Sequence, residues 1–325
     1  MTFGKPRSST DHDGLSALER RIHSECAPLR RRLPKLRVSE PFHGLGSFTR
    51  FAELGALRYS HPNSYELDPR FGKYYEIIYG GHTVKVGVVG DMLAVTTQSF
   101  EDSEGLVAGP MCTAWAGNGS KDGATSIVSF LYSRTTDWVI ELAHRGVLLF
   151  YCIENSGNIA KTEAKGTRQA FVERELLKLE CAVPFFKHGH EAVALYPTLP
   201  HVRNRHMLRG MRRDVMLHNE LPRPIANLLE VPLVASLGFE IPNKHFAELS
   251  KIQQANMESY VERVQEHAAQ GKVGQIAVVE VGRSCYREYG ATIMYDKIPP
   301  LRASGAEIWV LSTHDLHKPE ALQGK

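Results

Sequence analysis

The chain has 325 residues, of which 42% are hydrophobic and 23% are charged, a composition typical of a globular protein. Its 39 Lys and Arg residues nearly balance 36 Asp and Glu residues, so the mean charge indicates no class of partner. The sequence has no apolar run of about eighteen residues, which argues against a membrane span, and no apolar core behind a basic start, which argues against a Sec signal peptide. The 5 cysteines form no CxxC pair and favour reduced thiols. We therefore expect a cytoplasmic protein, or one delivered into a host cell.

Residues 1–40 form a basic segment that we expect to be a partly disordered N-terminal arm. Its clustered positive charges are Arg20, Arg21, Arg30, Arg31, Arg32, Lys35 and Arg37. Two interpretations stay open. The arm is simply solvated, or it binds phosphate, because clustered cations release counterions when they bind nucleic acid.

The region from residue 73 to residue 154 has the densest β-type pattern. Short runs rich in Val, Ile, Thr and aromatic residues are separated by Gly-Gly, Gly-Asp, Asn-Gly and Asp-Gly pairs, as in a series of hairpins. We predict a central, mainly antiparallel sheet over 73–154, preceded by an ordered loop with short elements over 41–72. The run AGNGSKDGATS fits hairpin turns better than a phosphate-binding loop, since it lacks the Gly-Lys-Ser/Thr order.

Two helices and several strands are predicted beyond this region. Apolar residues recur at helical spacing over 168–181 and over 244–270, and strand-like runs follow over 273–311. The predicted fold class is therefore α+β. Residues 41–325 form either a single α+β domain or two packed subdomains. The boundary between these subdomains, 41–160 and 161–325, falls where the β-rich pattern ends.

Cys112 is the leading candidate for a catalytic residue, because it follows Gly109-Pro110 where the chain leaves a turn. A cysteine nucleophile needs a base, normally a histidine, and a third group that orients this base. His144 is expected on a neighbouring strand, with Asp137 or Glu141 as the orienting carboxylate. The alternative is that Cys112 is a small buried hydrophobic residue and that His144 lies on the surface.

A second candidate site is a run of arginines expected to form an anion-binding stripe on a helix that begins near Asn204. Its members are Arg203, Arg205, Arg209, Arg212 and Arg213. Such a stripe fits phosphate, RNA or an acidic protein, and a solvated helix face is the alternative. His188 and His190 would share one face of a strand, but the sequence offers them no paired carboxylate motif, so no metal site is predicted.

Two functional hypotheses follow from these residues. The first is a cysteine-dependent hydrolase or deamidase that acts on an amide in a protein or small molecule, using Cys112, His144 and Asp137. The second is a non-enzymatic structural protein that binds nucleic acid or another anion through the arm and the arginine stripe. Neither hypothesis requires a cofactor, and none is predicted.

Overall fold

The computed structural model describes a defined subset of the chain. The described residues are 24, 35–44, 48–49, 59–60, 63–69, 71, 85–86, 90–116, 122–161, 169–194, 204–221, 246–272, 274, 276–282, 293–295 and 308–312. The chain divides into two compact units, Met1–Val193 with Arg205–Pro224, and Ala194–Asn204 with Ile225–Lys325. Most of the predicted basic arm lies outside the described residues.

The first unit is built on an eight-stranded sheet. Its strands are β1 (Leu36–Pro41), β2 (Tyr59–Ser60), β3 (Ser64–Glu66), β4 (Lys85–Val86), β5 (Gly105–Ala108), β6 (Phe150–Ser156), β7 (Phe186–Ala194) and β8 (Asn204–Arg212). They follow the order β4-β3-β1-β5-β6-β8-β7, and β2 also pairs with β1.

The predicted combination of helices with a central sheet is confirmed, but the strand directions make the fold α/β with a mixed, mostly parallel sheet. The predicted mainly antiparallel sheet is wrong. The pairs β1–β2, β1–β3, β3–β4, β1–β5 and β5–β6 are all parallel, while β8 runs antiparallel to β6. Neighbouring parallel strands require a crossover connection rather than a tight hairpin. The turn-like dipeptides between residues 73 and 154 were therefore a misleading guide to strand direction.

An 18-residue helix, α1 (Ile127–His144), occupies part of the region in which strands were predicted. Its β-branched and aromatic residues resemble strand sequence, but its buried side chains recur every three or four residues. They include Val128, Leu131, Tyr132, Thr135, Trp138, Val139 and Leu142. The Ser126 hydroxyl caps the helix by accepting the Val128 N–H over 3.2 Å. This helix is the crossover that makes β5 and β6 parallel.

The helix predicted over 168–181 is present as α2 (Phe171–Ala182), and a buried carboxylate joins it to α1. Glu175 is 7% exposed. Its carboxylate accepts hydrogen bonds from Ser133 Oγ at 2.8 Å and Thr136 Oγ1 at 2.5 Å, and it lies 3.6 Å from Lys178 Nζ. The main apolar core of the first unit lies between these helices and the sheet.

The second unit confirms the predicted C-terminal elements. Its helix α3 (Lys251–Ala269) matches the prediction over 244–270. The strands β9 (Ile276–Glu280), β10 (Met294–Tyr295) and β11 (Ile308–Ser312) form an antiparallel sheet in the order β10-β9-β11. A separate small core of Leu249, Met257, Tyr260, Val279 and Val281 holds this helix and sheet together.

Within the part of the chain that the structure describes, no helix is both long and apolar enough to cross a membrane.

Candidate functional site

The sheet of the first unit has a topological switch point between β1 and β5. From β1 the chain proceeds outward to β3 and β4, and it then returns to the other side of β1 to form β5 and β6. In open sheets of this kind, ligands bind in the crevice outside the carboxyl ends of the strands at the switch point. The residues that follow β1, β3, β5 and β6 are therefore the candidates for ligand contact.

The exit of β1 has a strained backbone. Phe42 has a φ of 57°, which is rare for a bulky side chain, and Gly44 has a φ of 55°. The His43 N–H donates to the Tyr65 carbonyl over 2.9 Å, and the Phe42 ring lies 6.5 Å from the Trp138 ring. Strained backbone held by its surroundings is concentrated at functional sites, so the turn at 42–44 is a candidate for ligand contact.

Glu66, the last residue of β3, reaches back to this turn. The Gly44 N–H donates to Glu66 Oε2 over 2.8 Å, and the Asp68 N–H donates to Glu66 Oε1 over 3.0 Å. A Cβ atom at Gly90 would overlap the Glu66 carbonyl, so the segment that starts at Gly90 lies directly against the end of β3. The carboxylate of Glu66 is thus fixed at the switch point beside a glycine turn.

Glu40 is a buried carboxylate next to the same turn. It is 6% exposed, and burial raises the pKa of its carboxyl group from 4.5 to about 7. It accepts hydrogen bonds from Thr49 Oγ1 at 2.8 Å and from the Phe48 N–H at 3.3 Å. His43 Nε2 lies 3.6 Å from Glu40 Oε2. Glu40 therefore connects the start of the turn to the residues that follow it.

Cys112 lies in a tight turn after β5, at the same edge of the sheet. Its carbonyl accepts the N–H groups of Trp115 at 3.0 Å and Ala116 at 2.8 Å. Two asparagines from the exit of β6 hold the flanks of this turn. Asn155 Nδ2 donates to the Pro110 carbonyl over 3.0 Å, and Asn158 Nδ2 donates to the Trp115 carbonyl over 2.8 Å. The half-buried Cys112 is thereby held at the exit of β5, next to β1 in the sheet.

The structure does not bring His144 and Asp137 to Cys112. The turn of Cys112 lies by the start of α1, where the Gly123 N–H donates to the Ala114 carbonyl over 3.2 Å, whereas His144 is the last residue of that helix. Eighteen helical residues span about 25 Å. His144 lies 6.1 Å from the Phe185 ring, and Asp137 pairs with Lys178 at 2.6 Å. The alternative orienting group Glu141 accepts a hydrogen bond from Thr97.

The predicted arginine stripe is wrong in its secondary structure, because Asn204–Arg212 is strand β8 and not a helix. Alternate side chains of a strand point to opposite faces, so the arginines do not form one helical face. Carboxylates partner three of them: Arg205 pairs with Glu154, Arg209 pairs with Glu191, and Arg212 pairs with Asp214 at 2.7 Å. Arg213 donates to the Pro184 carbonyl over 3.2 Å, and Arg203 lies outside the described residues.

The pair of Glu154 and Arg205 belongs to the same edge as Cys112. Glu154 lies near the end of β6. A Cβ atom placed at Gly109, three residues before Cys112, would be 3.5 Å from Glu154 Oε2. The ion pair with Arg205 Nε orients this carboxylate. The Glu154 carboxylate therefore lies beside Gly109, three residues before Cys112.

The histidines of β7 and β8 are paired within the protein. His188 Nδ1 lies 2.8 Å from the Tyr151 hydroxyl, and His190 Nδ1 lies 3.0 Å from His206 Nε2. Burial lowers the pKa of His206 to about 4, so it is neutral at pH 7. Among the described residues, no group of three or more His, Cys, Asp or Glu side chains is arranged to hold a metal ion.

Sequence reasoning missed Glu66, Glu154 and the two asparagines. A signal for Glu66 was present, since an acidic residue about twenty positions after a Gly-x-Gly turn that follows a strand is a feature of nucleotide-binding sheets. Glu66 comes 22 residues after Gly44. The signal was lost because β1 is short and was not recognised as a strand. Nothing in the local sequence indicates that Asn155 and Asn158 reach the Cys112 turn.

No protein-family model matches this sequence, and no curated protein matches it. Among solved structures, similarity is found to a putative DNA modification methyltransferase encoded within a prophage in E. coli, with a TM-score of 0.47, 16% identity and coverage of 65% of this chain and 56% of that chain. The S. pombe Dnmt2 methyltransferase is similar with a TM-score of 0.47 and 12% identity, over 69% of this chain and 66% of that chain. A Spodoptera frugiperda DNMT2 mutant is similar with a TM-score of 0.45 and 14% identity, over 64% of this chain and 61% of that chain. The chain thus spans between one half and two thirds of the first two structures that it matches.

The prediction of a cysteine-dependent hydrolase or deamidase, and of an amide substrate, is wrong. The fold itself separates the proposed base from the thiol, because α1 carries the chain from the carboxyl edge of the sheet to its opposite edge. The alternative of a protein that binds nucleic acid or another anion relied partly on a helical arginine stripe, and that helix is wrong, because the segment is a strand.

Proposed function

We propose that this protein is a methyltransferase that takes a methyl group from a nucleoside sulfonium donor, S-adenosylmethionine, and transfers it to a base of DNA or RNA. The observation that carries the proposal is the Glu66 carboxylate, fixed against the Gly44 N–H at the switch point of the sheet. An acidic side chain at this position of a nucleotide-binding sheet accepts hydrogen bonds from ribose hydroxyls. The two carboxylate oxygens of Glu66 suit the two adjacent hydroxyls of one ribose.

The sequence of the turn favours a single nucleoside over a dinucleotide. A dinucleotide site has the pattern GxGxxG or GxGxxA, in which the third small residue allows close packing of helix and strand beside the pyrophosphate. The corresponding residues run from Gly44 through Gly46 to Thr49, and Thr49 uses its hydroxyl to bind Glu40. This side chain occupies the place at which a third glycine is expected.

The charge of the site favours a cationic ligand over a phosphate. The described residues at the exits of β1 and β3 and at 90–93 include the acidic side chains Glu66, Asp68 and Asp91 and neither Lys nor Arg. Carboxylates repel a pyrophosphate and attract a sulfonium or an ammonium group. S-adenosylmethionine, when bound, supplies both of these cations and an electrophilic methyl group.

The acceptor side is formed by Cys112 and Glu154, which lie at the exits of the next two strands, β5 and β6. Glu154 is oriented by Arg205, and its carboxylate lies beside Gly109, three residues before Cys112. Glutamate accepts a hydrogen bond from the exocyclic amine of cytosine, and enzymes that modify a base take it out of the stack into their active site. We assign Glu154 to binding the amine edge of the acceptor base and Cys112 to contact with its ring.

The arrangement explains how transfer would occur. Because β1 and β5 are neighbours, a donor held at Gly44 and Glu66 and an acceptor held at Cys112 and Glu154 share one crevice. The methyl carbon forms a bond to the base as its bond to sulfur breaks, and the base releases a proton to solvent. Holding the two reactants in one geometry lowers the barrier, because it converts a bimolecular step into an effectively unimolecular one.

Glu66→Ala tests the donor site. Loss of hydrogen bonds to a charged group costs about 1.5–3 kcal/mol, so the variant should bind S-adenosylmethionine roughly tenfold to a hundredfold more weakly. Calorimetric titration of the purified protein measures this affinity, and transfer of labelled methyl groups to separate DNA and RNA pools measures activity. The matched control is Glu220→Ala, which removes an exposed glutamate and should leave the affinity unchanged.

Two results would contradict the proposal. The first is an intact protein that binds neither S-adenosylmethionine nor S-adenosylhomocysteine at millimolar concentration. The second is equal donor affinity in the wild type and Glu66→Ala. If donor binding is normal but neither nucleic acid is labelled, the acceptor assignment fails and the donor site stands.

A further inference from the structure

The turn that carries Cys112 is held by side chains from a different strand exit. It contains its own two backbone hydrogen bonds, from Trp115 and Ala116 to the Cys112 carbonyl. These bonds fix the shape of the turn but not its place at the edge of the sheet. Three hydrogen bonds from outside the turn place it: one from the Gly123 N–H to the Ala114 carbonyl, and two from side chains, Asn155 to Pro110 and Asn158 to Trp115.

Asn155 and Asn158 differ in their other contacts. Asn155 is 0% exposed, and its Oδ1 also accepts the Ser156 N–H over 2.8 Å, so it forms part of the end of β6 itself. Asn158 lies in the 3₁₀ turn Gly157–Ala160 that follows β6, and its described side-chain contact is the bond of 2.8 Å to the Trp115 carbonyl. Asn158 therefore influences the Cys112 turn without being required for the sheet.

The ring of Trp115 extends the same connection into the core. It lies 5.0 Å from the Phe171 ring and 6.2 Å from the Tyr132 ring. The Trp115 side chain thus anchors the turn to the first residues of α2 and to α1, while its carbonyl is held by Asn158. Removal of the Asn158 amide would release the backbone at 115 and leave the ring in place.

We propose that Asn158 is a positioning residue that fixes the Cys112 thiol at the acceptor side of the site. Its effect on methyl transfer rests on the proposed function, but its effect on the thiol does not. A misplacement of about 1 Å at a reacting group can cost on the order of a hundredfold in rate. Asn158→Ala and Asn158→Asp both remove the donated hydrogen bond, and Asp keeps the size of the side chain.

The first readout is the rate at which iodoacetamide alkylates Cys112 in the folded protein, followed by mass spectrometry of its peptide. Cys181, which is exposed on α2, is the internal reference. We expect the Cys112 rate in both variants to change by at least about threefold, because thiol reactivity follows exposure and local charge, while the Cys181 rate stays the same. A smaller change in both variants would overturn the proposal.

A matched control is available in the second unit. Asn256 Nδ2 donates to the Val281 carbonyl over 2.9 Å, a bond of the same type and length that joins α3 to the end of β9. Asn256→Ala should leave the Cys112 rate unchanged. A change in this control equal to that in Asn158→Ala would show a general loosening of the protein and would also overturn the proposal.

The second readout is methyl transfer. We expect Asn158→Ala to lower kcat by roughly tenfold or more, with the affinity for S-adenosylmethionine within about twofold of wild type. If the wild type transfers no methyl group, the proposed function fails and the alkylation rates alone decide the role of Asn158. If it does transfer and kcat is unaffected in the variants, Asn158 does not position the acceptor side.

Discussion

Glu40 shows how a single buried group links the proposed donor site to pH. Its carboxyl group is surrounded by the Thr49 hydroxyl, the Phe48 N–H and the imidazole of His43. Burial is the largest cause of its raised pKa, and the hydrogen bonds lower the pKa by less. The folded protein therefore holds a proton on Glu40 over a range of pH in which the unfolded chain has lost it.

The sign of the resulting pH dependence follows from proton linkage. Between the unfolded pKa of 4.5 and the folded pKa of about 7, the native state binds more protons than the unfolded state. The free energy of unfolding therefore falls as the pH rises through this window, by about 3 kcal/mol in total. Glu40→Gln cannot titrate and should lack this component.

Chemical denaturation at pH 5 and pH 8 measures the difference. We expect wild-type stability to fall by about 3 kcal/mol more than that of Glu40→Gln over this interval. Subtracting the two profiles cancels the contributions of ionisable groups that do not contact Glu40, and His43, 3.6 Å away, is the described neighbour whose titration the substitution also changes. Parallel profiles for the two proteins would mean that Glu40 ionises normally in the folded state.

At the scale of the secondary-structure elements, the junction of α1 and α2 depends on Glu175. Its carboxylate is bound by Ser133, Thr136 and Lys178. Without this carboxylate two hydroxyls lose a charged partner, while Lys178 keeps its ion pair with Asp137, so the cost is about 1.5–3 kcal/mol. Glu175→Ala should therefore lower the free energy of unfolding by an amount in this range, as measured by urea denaturation.

Glu180 provides the comparison on the same helix, because it is exposed. Glu180→Ala should change the stability by no more than about 0.5 kcal/mol. Equal effects of the two substitutions would mean that the network around Glu175 contributes nothing beyond helix propensity.

The same two helices show what could be predicted from the sequence. The apolar spacing of α2 is unambiguous, so its helix was predicted to within a few residues. The spacing of α1 is equally regular, with buried residues from Val128 to Leu142, but its Val, Ile, Thr, Tyr and Trp content favours strands. In α1 the spacing of the apolar residues indicates a helix, whereas the residue types indicate strands. The segment is a helix because packing of its apolar face against the sheet outweighs the intrinsic preference of its residues.

For the whole molecule, one misassigned helix changed the predicted topology. With residues 127–144 taken as strands, the region 73–154 became a series of hairpins and the predicted sheet became mainly antiparallel. Once α1 is a crossover, β1, β3, β5 and β6 all end at the same edge. That edge brings together Gly44, Glu66, Cys112 and Glu154, which are far apart in sequence. No local pattern contains this information, so the site could not be assembled without the strand order.

The two compact units should respond differently to a ligand that binds at this edge. Each unit has its own core, one around Leu106 and Ile153 and the other around Tyr260 and Val279. A ligand at one hundred times its Kd stabilises the state that binds it by about 2.7 kcal/mol. S-adenosylmethionine should therefore slow hydrogen exchange in peptides of β1 and β6 by up to about a hundredfold.

Peptides of α3 and β9 should keep the exchange rates of the free protein, because opening of the second unit does not require release of the ligand. Hydrogen exchange followed by mass spectrometry measures both sets of peptides in one experiment. Glu66→Ala should lose most of the protection in β1 and β6, since its donor site is incomplete. If the ligand protected peptides of α3 and β9 as much as those of β1 and β6, the chain would open as one cooperative unit. Amides that exchange through the same opening share one free energy of opening.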